Sequence, residues 1–248
     1  MRALWKLTLV GAKLYLREPV AAFFTIVYAP MMLVLFGSIY GNAPSPLFGG
    51  RGTMDISVPA YIGLIIVTVG LMSVPIGMAS RREAGVLRRY QATPLRPVIY
   101  LTADVLVYFG MTLLGVVLLI LTGRKIGYNV RFDGNVVSVL VGFSLGTLSF
   151  FALGFLIASL APTARIAQTV GIVMAFPMMF LSGATIPLEV LPATVREIAR
   201  FIPLTHVVTL LRGLWVGEAW SKHLTEVAVL VGLLVIGTAV SAKTFRWE

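Results

Sequence analysis

Residues 81–97 read RREAGVLRRYQATPLRP, a cluster of five arginines and one glutamate between two long apolar runs. A guanidinium presents a planar fork of N–H donors that suits carboxylates, phosphates and carbonyl oxygens. Drawn as a helix, Arg81 and Arg88 share one edge and Arg82 and Arg89 the next, while Glu83, Val86, Leu87 and Tyr90 occupy the opposite face. The stretch reads as a short two-faced helix between membrane spans, stopped by Pro94 and Pro97. Its cationic edges would meet acidic or polar groups of a partner or lipid headgroups. Its apolar face would pack either on that partner or on the ends of the spans.

Other reactive side chains are few. Asp104 is the one acidic residue clearly inside an apolar run, and a carboxylate there is either functional or paired. It lies within reach of Arg165 or an arginine of residues 81–97, so a structural ion pair is the preferred reading. Gly142-Phe143-Ser144-Leu145-Gly146 matches the G-x-S-x-G nucleophile pattern, but that elbow needs a strand-to-helix turn and this match lies in a continuous apolar run. Ser138, Gly142 and Gly146 recur every four residues, with Gly154 and Ala158 further along, which is the spacing of a close-packing helix face. The histidines are His206 and His223, and the chain has no cysteine. Neither histidine has a second His, a Cys or an Asp at ligand spacing, so no metal site is expected. Ser144 or Ser182 with His206 stays open as an intramembrane hydrolase pair. No glycine is followed by lysine, so the phosphate-cradling G-x-x-x-x-G-K-[ST] loop is absent. Uphill transport would draw on a partner ATPase or an ion gradient. A single buried ionisable residue favours the partner.

The elements that position these residues follow from composition. Of 248 residues, 58% are hydrophobic and 12% charged, against about one quarter charged in a soluble domain. Runs of about 20 apolar residues cross a bilayer as helices. Six such spans are expected, at 20–40, 56–79, 98–122, 136–160, 166–181 and 223–242, with Pro30 kinking the first. Residues 41–55 are turn-forming. The net charge of +10 orients spans rather than binding nucleic acid, whose motifs are missing. Lys13 and Arg17 interrupt any signal-peptide core, so no cleavable signal is expected. Residues 1–18 form a candidate interfacial helix, because Arg2, Lys6, Lys13 and Arg17 fall on one stripe facing lipid headgroups.

Residues 182–221 differ from the spans. Gly183, Pro187, Pro192, Pro203 and Gly213 break them, and Glu189, Arg196, Glu197, Arg200, Arg212 and Glu218 are scattered through. Two half-helices separated near Pro203 fit best, and broken backbone at membrane depth must be covered by protein or a water-filled cavity. With the termini and residues 81–97 inside, twelve Lys and Arg lie on that side and eight on the other. The fifth run is rich in Met174, Phe176, Met178, Met179 and Phe180, an adaptable apolar surface that lines a pathway or simply packs.

Two stretches carry a resemblance. One is Arg82-Glu83-x-Gly85-x-Leu87-x-Arg89 followed by Ala92-Thr93-Pro94-Leu95. The other is Pro177-x-x-x-Leu181-Ser182-Gly183-x-x-x-Pro187 with Leu191-Pro192, Pro203 and Arg212. In this order among six spans the chain resembles the permease subunit of ABC-2 type transporters, of the daunorubicin-type drug-exporter branch. The resemblance implies one all-α transmembrane domain over 1–248, with a coupling helix at 81–97 and external re-entrant helices at 182–221. Arg81, Arg82, Glu83, Gly85, Leu87, Arg88 and Arg89 would couple to a separate ATP-binding subunit, which holds ATP and Mg; this chain would carry no cofactor. Ser182, Gly183, Pro187, Pro192, Pro203 and Arg212 would form the external gate, and Met174, Met178, Met179 and Phe180 would line the pathway. A second permease copy, identical or homologous, would complete the transporter in the inner or plasma membrane, with both termini cytoplasmic. The cargo expected is a hydrophobic or amphipathic drug-like compound, with a lipid or glycan as the alternative. A gradient-driven transporter or channel is a remoter reading.

Overall fold

Backbone in hydrocarbon has no water to bond, so each apolar run must close its own hydrogen bonds as a helix. The computed structural model describes residues 2–91, 97–128 and 130–244, apart from the side chains of residues 2, 3, 90, 91 and 97. The described chain is helical, with six helices long and apolar enough to cross a membrane: Pro19–Tyr40, Thr53–Glu83, Val98–Lys125, Val136–Leu160, Ala164–Leu181 and Trp220–Thr244. We refer to them as spans 1 to 6.

In chain order, α1 (Arg2–Arg17) precedes span 1, which consists of α2 (Pro19–Ala22), a π-helical turn (Phe23–Val27) and α3 (Tyr28–Tyr40). Span 2 is α4 (Thr53–Thr68), a second π-helical turn (Val69–Ser73) and α5 (Val74–Glu83). Next come α6 (Val86–Gln91), α7 (Pro97–Lys125), α8 (Val136–Leu160) and α9 (Ala164–Leu181). The short α10 (Ala193–Ala199) and α11 (Pro203–Val216) separate span 5 from α12 (Leu224–Thr244), the body of span 6. The break between α10 and α11 falls where the prolines predicted it. Pro203 opens α11 because its missing N–H is no loss in a first turn.

Span 2 is the axis of the bundle. Its residues are apolar all round, the pattern of a buried helix, and α4 packs against α3, α7, α8, α9 and α11. It is longer at both ends than its apolar run. The Asp55 side chain accepts the Gly52 N–H at 3.0 Å and starts the helix at Thr53 rather than Ile56. At the other end the helix continues to Glu83, because its last three side chains find partners within the protein.

The irregularity expected at Pro30 takes the form of the π turn just before it. Pro30 cannot donate to Ile26, and Pro75 likewise cannot donate to Leu71. Both orphaned carbonyls lie within π turns, which redistribute the missing bond. Neighbouring spans cover the loosened backbone with glycines. A Cβ at Gly115 would strike the Thr25 carbonyl, one at Gly154 the Gly70 carbonyl, and one at Gly171 the Leu71 carbonyl. Only a residue without a side chain lets a helix approach those oxygens.

Residues 81–97 depart from one continuous helix. Arg81, Arg82 and Glu83 form the last turn of span 2, and Gly85, at φ +67°, breaks the helix before α6. The shared edges of Arg81 with Arg88 and Arg82 with Arg89 therefore do not form. The Ala92–Leu95 part of the resemblance, the stop at Pro94, Arg96, Arg246 and the Tyr90 side chain lie outside the described residues.

Candidate functional site

Successive residues on an α-helix point about 100° apart, so three in a row fan over more than half a turn. Arg81, Arg82 and Glu83 do this at the end of span 2 and reach spans 3, 4 and 5 in turn. Arg81 forms a hydrogen-bonded ion pair with Asp104 of α7. The Tyr100 ring lies 5.7 Å from its guanidinium carbon, in cation–π range. Arg82 donates to the carbonyls of Ala158, at 3.0 Å, and Ala161, where α8 ends. Glu83 accepts the Ala164 N–H at 3.1 Å, at the start of α9.

The last two contacts complement each other electrostatically. A helix C-terminus carries partial negative charge on free carbonyls, and an N-terminus partial positive charge on free N–H groups. Arg82 serves the first and Glu83 the second, at the two ends of the tight connection between α8 and α9. Thr163 adds an N-cap, its hydroxyl accepting the Ile166 N–H at 3.2 Å. Past Gly85, Leu87 is fully buried against Met78, Tyr100 and Ala158, so the apolar side of α6 packs on the spans' own ends. Glu83, Arg88 and Arg89 face the surface.

A buried polar chain runs inward from this clamp. Arg81 also reaches the Tyr108 hydroxyl at 3.4 Å, and Tyr108 donates to the Ser73 carbonyl at 3.3 Å. The Tyr15 hydroxyl of α1 reaches Ser73 Oγ at 3.2 Å and Thr25 Oγ1 at 2.6 Å. Ser73 and Thr25 belong to the two π turns, so the chain joins both irregular turns and α1 to the Arg81–Asp104 pair. Burial raises the Tyr15 phenol above its ordinary value, opposed by its bonds to Ser73 and Thr25. Tyr15, Thr25, Ser73 and Tyr108 escaped the sequence reading, because no local spacing marks contacts between residues so far apart. Asp104 with an arginine of 81–97 was anticipated, and Arg81 is that arginine; Arg165 is exposed.

The residues expected at the gate hold the opposite end. Ser182 is buried, its hydroxyl accepting the Ala184 N–H at 3.3 Å, and Gly183 takes φ +84° beside Leu188. Pro187 and Pro192 precede the 3-10 turn Leu188–Val190 and α10, and Arg212 pairs with Glu189 at 3.3 Å. The His206 ring meets the Arg200 carbonyl at 3.0 Å and pins the turn before Pro203, leaving Phe201 exposed at its tip. Val208 of α11 abuts Gly63 of span 2, and Val207 abuts Gly146 of span 4. Leu210 and Leu214 abut Gly142, so G-x-S-x-G forms a packing face. Ser144 donates to the Leu140 carbonyl and makes no bond to a histidine among the described residues.

The expected pathway residues divide. Met179 belongs to the packed core, Met174 and Met178 are half-buried against it, and Phe180 is exposed. Among the described residues no group of three His, Cys, Asp or Glu is placed to hold a metal ion.

Residues 2–215 match the family described as ABC-2 type transporter. The chain belongs to that family. Relatives include nodulation protein J of Rhizobium leguminosarum bv. viciae, 32% identical over 99 residues, 40% of this chain and 38% of that protein. The protein named probable multidrug ABC transporter permease YbhS of Escherichia coli (strain K12) is 24% identical over 191 residues, 77% of this chain and 49% of that one. Nodulation protein J of Rhizobium meliloti (strain 1021) is 25% identical over 227 residues, 84% of this chain and 83% of that one. The match thus spans less than half the length of the first two relatives. The protein is an all-α, multi-pass member of a transport permease family.

Proposed function

We propose that this chain is the membrane-spanning subunit of an ATP-driven exporter that moves a hydrophobic or amphipathic, drug-like compound, with ATP hydrolysed by a separate subunit. The observation that carries the reading is the convergence at the end of span 2. Three consecutive side chains bind spans 3, 4 and 5, and the short α6 hangs directly from them across a glycine. A push on α6 is felt at once by four of the six spans. That is the mechanical property needed where a chain without a phosphate-binding loop receives work from a partner. In this reading the 81–97 end and both termini face the cytoplasm, a second permease copy completes the pathway, and α1 lies along the inner interface.

The opposite end supports the same reading. Gly63 and Gly146 lie ten residues beyond the first residues of their spans, about 15 Å at 1.5 Å per residue. Leu214, by contrast, reaches back to Gly134 at the start of the fourth span. Helices α10 and α11 then form a re-entrant hairpin whose Pro203 turn sits deep and whose Arg212–Glu189 pair closes the rim. The multidrug name of YbhS favours the drug-like cargo.

The test uses the complex reconstituted with its ATPase. Glu83→Ala, which releases the start of α9, and Gly85→Phe, which opposes the positive φ, should preserve assembly but abolish substrate-stimulated hydrolysis and export. Wild-type stimulation and export in both variants would disprove the coupling role. Gradient-driven flux through the purified chain without any ATPase would disprove the exporter.

A further inference from the structure

The end of the bundle remote from residues 81–97 contains a half-open apolar groove that the transport reading does not use. α7 and α8 meet little, and Ile62 of α4 lines the space between them. Ile120 and Leu140 form its sides, and its volume is about 240 Å³. Phe132 and Trp215 close it above, with ring centroids 4.8 Å apart in an edge-to-face pair. The Trp215 indole is fixed by donation to the Arg131 carbonyl at 2.9 Å. Val117, Leu121 and Val141 beside the groove are exposed apolar side chains, so it opens onto the surface that hydrocarbon covers.

The mouth is cationic. Arg124 lines it, in the last turn of span 3, at the depth where the hydrocarbon gives way to headgroups. Three other cations at this end pair with carboxylates, Arg51 with Asp133 at 2.7 Å, Arg212 with Glu189 at 3.3 Å and Lys222 with Glu218 at 3.6 Å, whereas Arg131, Arg196 and Arg200 form no salt bridge among the described residues and do not line the groove. Arg124 and the adjacent Lys125 have no carboxylate partner among the described residues. An apolar slot capped by aromatic rings, with an unneutralised guanidinium at its mouth, complements an acyl chain carrying an anionic head. We propose that the groove binds one anionic phospholipid, its acyl chain between α7 and α8 and its phosphate on Arg124. A zwitterionic lipid fits the slot equally but gains less from the charge.

Trp215 makes the site visible. The full chain with Trp215 as its sole tryptophan (Trp5→Phe, Trp220→Phe, Trp247→Phe) is reconstituted in phosphatidylcholine vesicles. Increasing fractions of phosphatidylcholine or phosphatidylglycerol with dibrominated acyl chains are then added. Brominated phosphatidylglycerol should half-quench Trp215 at a mole fraction at least threefold lower than brominated phosphatidylcholine. Unbrominated phosphatidylglycerol should restore the emission. Arg124→Gln, on an exposed residue, should bring the two lipids level. Equal quenching in the parent chain, or a preference that survives Arg124→Gln, overturns the proposal. No quenching by either lipid means that protein covers the groove and also overturns it. Recovery of emission on adding tetraphenylphosphonium, but not phosphatidylglycerol, would reassign the groove to a transported cation.

Discussion

The two ends of the bundle solve the same problem, ending apolar helices in polar surroundings, in opposite ways. At the 81–97 end, three consecutive charged residues of one helix reach three other spans, two of them through backbone atoms. At the far end, polar contacts tie loops to helix starts. The Asn42 side chain donates to Asp55 at 3.0 Å and to the Tyr128 carbonyl at 2.7 Å, and accepts the Met54 N–H at 2.9 Å. Asp55 also accepts the Arg131 N–H at 2.9 Å. The far end is thus a mesh of local contacts that tolerates the loss of one strand of the mesh. The clamp instead concentrates contacts of spans 2 to 5 on a single helical turn. In the proposed exporter that asymmetry would serve a bundle driven from one end, with a stiff handle there and separable loops at the other.

The same substitution at each end measures the contrast. Asp104 is buried, so Asp104→Ala leaves Arg81 charged and without its carboxylate, a loss of about 3–5 kcal/mol. Asp133, half-exposed in its pair with Arg51, should cost about 0–1 kcal/mol when changed to alanine. Apparent melting temperatures in detergent should order wild type, Asp133→Ala, then Asp104→Ala well below. Replacing both partners, as Arg81→Met with Asp104→Leu, should recover most of the loss, since no buried charge is stranded. Equal costs at the two ends would erase the distinction between handle and mesh.

A second test bears on how the handle reaches the bundle centre. Gly154 of span 4 stands against the Gly70 carbonyl in the π turn of span 2. Gly154→Leu should push the helices apart and cost about 1–3 kcal/mol. Gly110, which has open space around its Cβ position, should accept alanine with little change. A silent Gly154→Leu in thermal unfolding would show that the π turn is not tightly enclosed.

How much of each end is legible in the sequence depends on what each contact touches. Span number follows from run length, the Asp104 pair from the scarcity of buried carboxylates, and the break near Pro203 from proline's missing donor. Arg82 and Glu83 were harder, because backbone carbonyls and N–H groups have no sequence signature. A helical wheel drawn through Arg81–Arg89 therefore puts Arg82 on a cationic edge and Glu83 on the opposite face with Val86 and Leu87, and gives neither a backbone partner. Gly85 was the available warning, since a glycine just past a helix end marks a positive φ. The π turn of span 2 also had a signal, Pro75 four residues after Leu71. Tyr15 had none, lying 58 residues from the serine it meets.

Tyr15 supplies the smallest and most specific test. Tyr15→Phe keeps the ring but removes the hydroxyl that joins Thr25 to Ser73, at a cost of about 1 kcal/mol. The pH dependence separates this bond from simple packing. Burial favours the neutral phenol, so the folded chain keeps the Tyr15 proton at a pH where the unfolded chain has begun to lose it. Above about pH 10 the folded state binds more protons than the unfolded state, and stability falls as pH rises. The contribution is fully present below that pH and is lost as pH climbs through the raised folded value. Phenylalanine cannot titrate, so the Tyr15→Phe chain should lose stability less steeply between pH 10 and 11 in denaturant unfolding. Parallel slopes for the two chains would mean that the Tyr15 hydroxyl is hydrated, and that the polar chain from Arg81 stops at Ser73, short of span 1.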